Sequence, residues 1–210
     1  MRIGVIGKGN VGSCLGTLWS RLGHEVLFGV RDPESEDVKQ LLGQCRSDAG
    51  AVTPKEVFQR SDVILLAVRC EDVSSVLEGV GEMNGTILID CMTPVERGTG
   101  RILLDWNRPA AEQLEALTPG ARVVKCFDTA GVGVMKNPIF GPERATMFVC
   151  GDHVEAKDCV MSLAEELGFE CLDAGPLSAA RYLEALSAFW IHLAFKQKLG
   201  IDFAFRVVRR

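Results

Sequence analysis

The first 22 residues limit the folds open to this chain more than any other stretch. Arg2–Ile6 is a short run with β-branched residues, and it passes at once into Gly7-Lys8-Gly9-Asn10-Val11-Gly12. From about Asn10 to Leu22 the residues Val11, Cys14, Leu15, Leu18, Trp19 and Leu22 recur at helical spacing, and Gly23 is placed to end the helix. Strand, G-x-G-x-x-G, helix is the order that receives a pyrophosphate in a βαβ unit. Gly7 suits the tight turn, Gly9 keeps a Cβ away from an approaching phosphate, and Gly12 lets helix and strand pack closely. Gly16, four residues on, thins the same helix face. The helix N-terminus offers free N–H groups and a partial positive charge to the anion. Glu25–Gly29 then reads as the second strand, closing the unit in about thirty residues, the size it requires.

The end of that second strand selects the nucleotide. NAD binders place a carboxylate there for the ribose 2′-OH, whereas NADP binders offer an arginine to the 2′-phosphate. Here Phe28-Gly29-Val30-Arg31-Asp32-Pro33 has no acid at its tip, and Arg31 is the first charged residue beyond it. A planar guanidinium suits bidentate phosphate contact, so NADP(H) is expected. Asp32, just before Pro33, reads as the start of the next helix.

The rest of the chain continues the alternation. A polar helix is expected over about Glu34–Leu42, then a weak stretch around Val52 and a short helix from Thr53 or Pro54. Asp62–Val68 is an unbroken apolar run, the mark of a parallel strand covered on both faces. A loop at Arg69–Asp72, a helix to about Leu77 and a strand at Thr86–Asp90 follow. Between Val95 and Gly120 the pattern breaks, apart from a helix around Ala110–Leu117. Arg122–Cys126 restores the strand, with a small-residue loop at Phe127–Gly133. Strands at Thr146–Cys150 and Phe169–Asp173 flank a helix to Leu167, whose start carries Asp152 and Glu155 at capping-pair spacing. Pro176 can open a long helix to about Leu199. That helix is apolar on nearly every side around Ala188–Phe195, which points to a buried position or to a homodimer interface. His192 within it reads as a core residue, and neither His24 nor His153 looks like a general base.

The expected architecture is a Rossmann-type, doubly wound α/β fold. A mostly parallel sheet would have helices on both faces and a long C-terminal helix. A length of 210 residues suits a single domain, with a dinucleotide-binding core at 1–126 and an extension at 127–210. A net charge of −5 disfavours nucleic acid or an anionic membrane as partner, and Arg206, Arg209 and Arg210 read as a solvated tail. Neither a leader nor an apolar run of spanning length is evident, so a cytoplasmic location is expected. The eight cysteines are scattered without a C-x-x-C, as reduced core thiols rather than a metal site.

Several motifs together resemble one family. They are Gly7–Gly12, Phe28-Gly29-Val30-Arg31, Val124-Lys125-Cys126-Phe127-Asp128-Thr129, Val149-Cys150-Gly151-Asp152 and Leu172-Asp173-Ala174-Gly175-Pro176-Leu177. The chain resembles the NADPH-dependent deazaflavin (coenzyme F-420) reductases and their bacterial dinucleotide-binding relatives. The cytosolic domains of the six-span ferric reductases are more distant kin. The resemblance implies an NADP-linked oxidoreductase passing hydride to a flavin-like ring, with FMN, FAD or coenzyme F-420 as the second redox ligand. Such chemistry rests on positioning and the exclusion of water and needs no catalytic side chain. Candidate cofactor-binding residues are Gly7, Gly9, Asn10, Val11, Gly12, Val30, Arg31, Ser35, Ala67, Val68, Arg69, Met92, Thr93 and Ala130. Candidate substrate-side residues are Pro94, Asp128, Thr129 and Gly131. The chain departs from the family pattern at Val30, where serine is common, and at Asp128, where asparagine or histidine is usual.

Two other readings compete. Imine and 3-hydroxy-acid reductases begin with a similar G-x-G-N turn but add a substantial helical domain, whereas only about forty residues follow the last strand here. An NADP-binding sensor without turnover would equally lack a catalytic side chain.

Overall fold

The computed structural model describes residues 1–96 and 99–210. The expected irregular stretch after Val95 therefore includes two positions, 97 and 98, outside the described residues. Strand β1 (Arg2–Ile6), helix α1 (Asn10–Leu22) and β2 (Glu25–Gly29) form the first βαβ unit, with β1 and β2 parallel and Ile3 opposite Val26. There follow α2 (Glu36–Leu42), β3 (Gly50–Val52), α3 (Pro54–Arg60), β4 (Val63–Leu66), α4 (Val73–Leu77), β5 (Ile87–Asp90), α5 (Ala110–Leu117) and β6 (Arg122–Lys125). These strands all run parallel, in the spatial order β3-β2-β1-β4-β5-β6. Every residue of β4 is buried, as its unbroken apolar run requires. Helix α3 starts where expected, because Thr53 Oγ1 accepts from Glu56 N while Glu56 Oε2 accepts from Thr53 N, a reciprocal capping box.

Two apolar layers cover the sheet. On one face Trp19 of α1 is fully buried, packs edge-on against Phe127 at 5.7 Å and donates its Nε1 to Leu163 O at 3.2 Å. On the other, Val57, Val73 and Leu114 from α3, α4 and α5 join Leu177 and Leu183.

Beyond β6 the expected strands are present, with connecting elements and a strand direction that the sequence did not signal. A short helix α6 (Val132–Lys136) and a two-stranded hairpin, β7 (Ile139–Phe140) with β8 (Glu143–Arg144), turn the chain around. Strand β9 (Thr146–Gly151) therefore pairs antiparallel to β6, and β10 (Glu170–Asp173) follows β9 in parallel through α7 (Val154–Glu166). The last two strands extend the sheet to eight, but with their carboxyl ends at the opposite edge.

The chemistry of two motifs follows from that reversal. Asp152 Oδ1 accepts from Leu177 N at 2.8 Å, Gly151 N donates to Gly175 O, and Lys157 Nζ bonds both oxygens of Asp173. The V-C-G-D and D-A-G-P-L segments thus clasp each other away from the glycine turn. Asp152 and Glu155 do not form the expected capping pair: α7 has no side-chain cap, and Glu155 faces Arg122 at 3.3 Å.

The C-terminal helix also differs. A 3-10 turn at Leu177–Ala179 leads into α8 (Ala180–Ile191), which ends as a π turn over His192–Lys196, short of Leu199. His192 is exposed and contacts Gln197 rather than the core, because the helix buries only the face carrying Leu183, Trp190 and Ala194. The chain then returns: Phe203 stacks on Trp190 at 5.2 Å and Phe205 O accepts from Thr146 N. Arg206 pairs with Glu143, so it is not part of a free tail.

The glycine turn makes a direct prediction. A Cβ at Gly12 would lie 2.0 Å from Gly7 O, whereas at Gly9 nothing lies within 4 Å. Gly12→Ala should cost about 3 kcal/mol or more through overpacking, and Gly9→Ala less than about 1 kcal/mol. Urea denaturation of both variants measures the contrast, and equal losses would contradict this packing.

Candidate cofactor and substrate site

The carboxyl ends of β1, β2, β4, β5 and β6 share one edge, where open α/β sheets take their ligands. Gly7 holds φ 101°, a conformation that other residues adopt with strain, and a Cβ there would meet Ala67 O at 2.4 Å. The turn is thereby pressed against the end of β4, and α1 begins with no side chain capping its N-terminal N–H groups. Over this turn opens a cleft of about 470 Å³, lined by Gly7, Lys8, Val30, Arg31 and Ser35, with Pro54, Val68, Asp72 and Val76 closing it. Its size is in the usual range for a small-ligand site. Arg31 is exposed and has no ion-pair partner among the described residues. Asp32 is occupied in the turn, since its Oδ1 accepts from Glu34 N and its carbonyl from Ser35 Oγ. These features fit a dinucleotide carrying an extra phosphate: open space over Gly9, an uncapped helix start, and an unpaired guanidinium at the cleft mouth.

A second, larger cavity of about 680 Å³ lies further along the same edge. Its walls include Cys70, Pro94, Leu103, Leu104, Trp106 and Asn107, with Ala110 and Gln113 from α5. The segment 68–72 contributes to both cavities, so they are neighbours. Trp106 is half-exposed, meets Tyr182 edge-on at 6.2 Å, and accepts a hydrogen bond at its carbonyl from Arg181 Nη1.

Beneath this edge sits a buried charged cluster. Lys125 is fully buried and donates to Asp90 Oδ2 at 3.1 Å and to Met92 O. Burial works against its ammonium form, but the carboxylates of Asp90, Asp128 and Glu184 outweigh that and hold its pKa above the usual lysine range. Asp128 Oδ2 stands 3.8 Å from the ammonium, and among the described residues neither Asp128 oxygen has a hydrogen-bond partner. Burial pushes Asp128 up to about 6, against the pull of Lys125. Glu184 is raised as well, chiefly by burial, while its Oε1 accepts from Ala111 N at the start of α5. Thr93 Oγ1 meets Ser187 Oγ at 2.7 Å, and Ser187 Oγ donates to Asp128 O, joining the loops after β5 and β6 to α8.

The candidate residues named from sequence thus divide into groups. Gly7, Val30, Arg31, Ser35 and Val68 line the first cleft, and Gly9, Asn10, Val11 and Gly12 form the helix start beside it. Ala67 backs the turn, Arg69 is exposed beyond it, and Pro94 lines the second cavity. Met92, Thr93, Asp128 and Thr129 lie in or around the buried cluster, with Ala130 partly exposed at its rim. Gly131 is not on an open surface: a Cβ there would strike the Trp190 ring at 2.7 Å and Ile201 O at 3.0 Å, because the C-terminal segment covers it. Sequence reasoning missed Lys8, which pairs with Asp37 across the cleft mouth, and Trp106, Asp90, Lys125 and Glu184. An acid ending one buried strand and a lysine ending the next was the available signal for Asp90 and Lys125. His24 is bonded to Glu166 at 2.7 Å, a structural role far from this edge.

This geometry is that of a Rossmann-type domain, and comparison with known proteins narrows the class. Residues 2–94 match the model of the family described as NADP oxidoreductase, coenzyme F420-dependent. The chain is 27% identical to the F420-dependent NADP reductase of Methanothermobacter marburgensis over 213 residues, covering 95% of each protein. Among solved structures it is similar to a putative F420-dependent NADP-reductase from Arthrobacter sp. FB24, with a TM-score of 0.87, 27% identity and full coverage of both chains. It is also 31% identical to the metalloreductase STEAP3 of Rattus norvegicus over 88% of its own length, and spans only 36% of that relative. The resemblance to the F420-dependent NADP oxidoreductases therefore holds in sequence and in fold, and that family is enzymatic. No helix among the described residues is long and apolar enough to cross a membrane.

The buried cluster predicts a pH signature in stability. Asp128 keeps its proton to a higher pH folded than unfolded, so between pH 3.8 and about 6 the folded state binds more protons. Stability from this group is therefore full at low pH and lost as pH rises through about 6. Asp128→Asn removes that loss. The stability of the variant relative to wild type should rise from pH 4 to pH 8, by up to about 3 kcal/mol, as measured by urea denaturation across pH. A flat difference would show Asp128 to be an ordinary ionised carboxylate.

Proposed function

We propose that the chain transfers hydride between NADPH and a flavin-like or deazaflavin acceptor, with the nucleotide in the 470 Å³ cleft and the acceptor in the 680 Å³ cavity beside it. The observation carrying this reading is the adjacency of the two cavities along one sheet edge, one walled by the glycine turn and Arg31, the other by Leu103, Leu104 and Trp106 with the polar Asp105, Asn107 and Gln113. When bound, NADPH supplies the hydride. The protein's part is to bind, orient and exclude water. Arg31 and the start of α1 hold the phosphates; Val68 and the loop after β5 set the depth of the nicotinamide. Trp106 offers a flat face to a planar ring, and Leu103 and Leu104 keep water from it. The name of the Methanothermobacter marburgensis relative makes a deazaflavin the first acceptor to test. The exposed Tyr182, Phe189 and Phe195 on the C-terminal helix support a homodimer, which a single-chain mass in light scattering would exclude.

Purified protein given NADPH should oxidise it steadily with FMN, FAD or a deazaflavin and not with cyclic imines, as followed at the nicotinamide absorbance band. Turnover with imines alone would overturn the acceptor assignment, and tight binding without turnover would favour a sensor. Arg31→Ala should weaken NADPH by about 1–3 kcal/mol and leave NADH nearly unchanged, and an equal loss for both would refute the 2′-phosphate contact. Trp106→Ala should raise the acceptor KM about tenfold, the loss of roughly one aromatic stacking contact, with NADPH affinity retained.

A further inference from the structure

Asp128 is the buried group whose state the hydride reaction leaves unexplained. The charged and titratable groups around it come from every neighbouring element: Asp90 and Cys91 at the end of β5, Lys125 and Cys126 at the end of β6, Cys150 of β9 and Glu184 of α8. The thiols are neutral, Cys150 being pushed up to about 12 by burial and Cys91 and Cys126 raised by the same cause. One ammonium therefore faces three carboxyl groups. Asp90 bonds Lys125 and the Met92 N–H, and Glu184 bonds the start of α5. Of the three, Asp128 alone has both oxygens buried and without a hydrogen-bond partner among the described residues, its Oδ2 3.8 Å from an ammonium committed elsewhere. A carboxyl so placed is held neither as a fully satisfied anion nor as a firmly bonded acid, so its proton occupancy responds to a charge placed near it.

We propose that Asp128 is a proton site linked to the charge of the bound nicotinamide, protonated with the neutral reduced ring and ionised with the cationic oxidised ring. This rests on the reading that the chain binds NADP(H) with the nicotinamide end toward β5 and β6. On ionisation the carboxyl O–H bond breaks, the electron pair stays on Asp128, and the proton passes to solvent. No oxidant is needed for this equilibrium. Lys125 and Asp90 are positioning residues, since the ammonium between them keeps the added negative charge tolerable. Asp128 then releases a proton for each oxidised cofactor formed, the proton that a ring reduced by two electrons also requires.

Titration calorimetry of the full chain in two buffers of different ionisation enthalpy at pH 6 counts protons taken up or released with each nucleotide. The nucleotide's own 2′-phosphate also titrates near pH 6, but it is common to NADPH and NADP⁺ and cancels in their difference. Wild type should release about 0.5–1 proton more with NADP⁺ than with NADPH at pH 6, and markedly less at pH 8.5. Asp128→Asn should bind both nucleotides with a difference near zero. Equal differences in variant and wild type would assign the proton elsewhere. A zero difference in wild type with both nucleotides bound would overturn the proposal and leave the binding reading intact. Failure of either nucleotide to bind would bring down both. Should Asp128→Asn fail to fold, infrared difference spectra of wild type holding NADPH or NADP⁺ supply the same decision. A protonated-carboxyl band present only with NADPH is expected, and its absence overturns the proposal.

Discussion

The close approach of three backbone segments governs this structure: the end of β1, the start of α1 and the end of β4. A Cβ at Gly12 would lie only 2.0 Å from Gly7 O, and Gly7 itself turns against Ala67 O in a left-handed conformation. Side chains at either position would push α1 off the sheet and close the space over Gly9. With that contact made, Gly16 settles over the Phe28 ring and Trp19 reaches Leu163 on α7. The first cleft and the apolar layer on one face thus share a cause.

The second organising element is the change of direction after β6. Parallel strands put their carboxyl ends on one edge and make it a ligand edge, but a sheet continued in that way would also have carried the V-C-G-D and D-A-G-P-L loops there. The α6 helix and the β7–β8 hairpin reverse β9, which moves both motifs to the far edge, where Asp152, Lys157 and Asp173 knit them together. The same reversal leaves the end of β6 as the last ligand-side terminus. Lys125 and Asp128 gather there with Asp90 from the next strand and Glu184 from the helix laid across them.

Much of this was legible in the sequence, for physical reasons that differ by element. β4 and α1 could be read because burial on two faces, or on one helical face, leaves a periodic apolar pattern. The place of Arg31 at the cleft could be read because it depends on the end of a strand and not on distant contacts. The capping box at Thr53 and Glu56 is local and was accessible as a helix start. His192 and the long final helix were misread because an apolar helix shows how much surface is greasy but not which part the returning chain covers. Trp190 and Phe203 are joined through a stretch without regular structure, which carries no periodic signal.

By itself the sequence determined the alternation of strands and helices, the glycine turn and the cationic tip of β2. Each of these is set by local spacing and local charge. Only the tertiary structure decided the direction of β9 and β10, the covering of Gly131 by the C-terminal segment and the meeting of Asp90, Lys125, Asp128 and Glu184. Those four residues lie on separate elements, and nothing in their spacing states that they share one dry volume. The energy of a buried charge depends on which partners reach it there. Strand order and packing settle that.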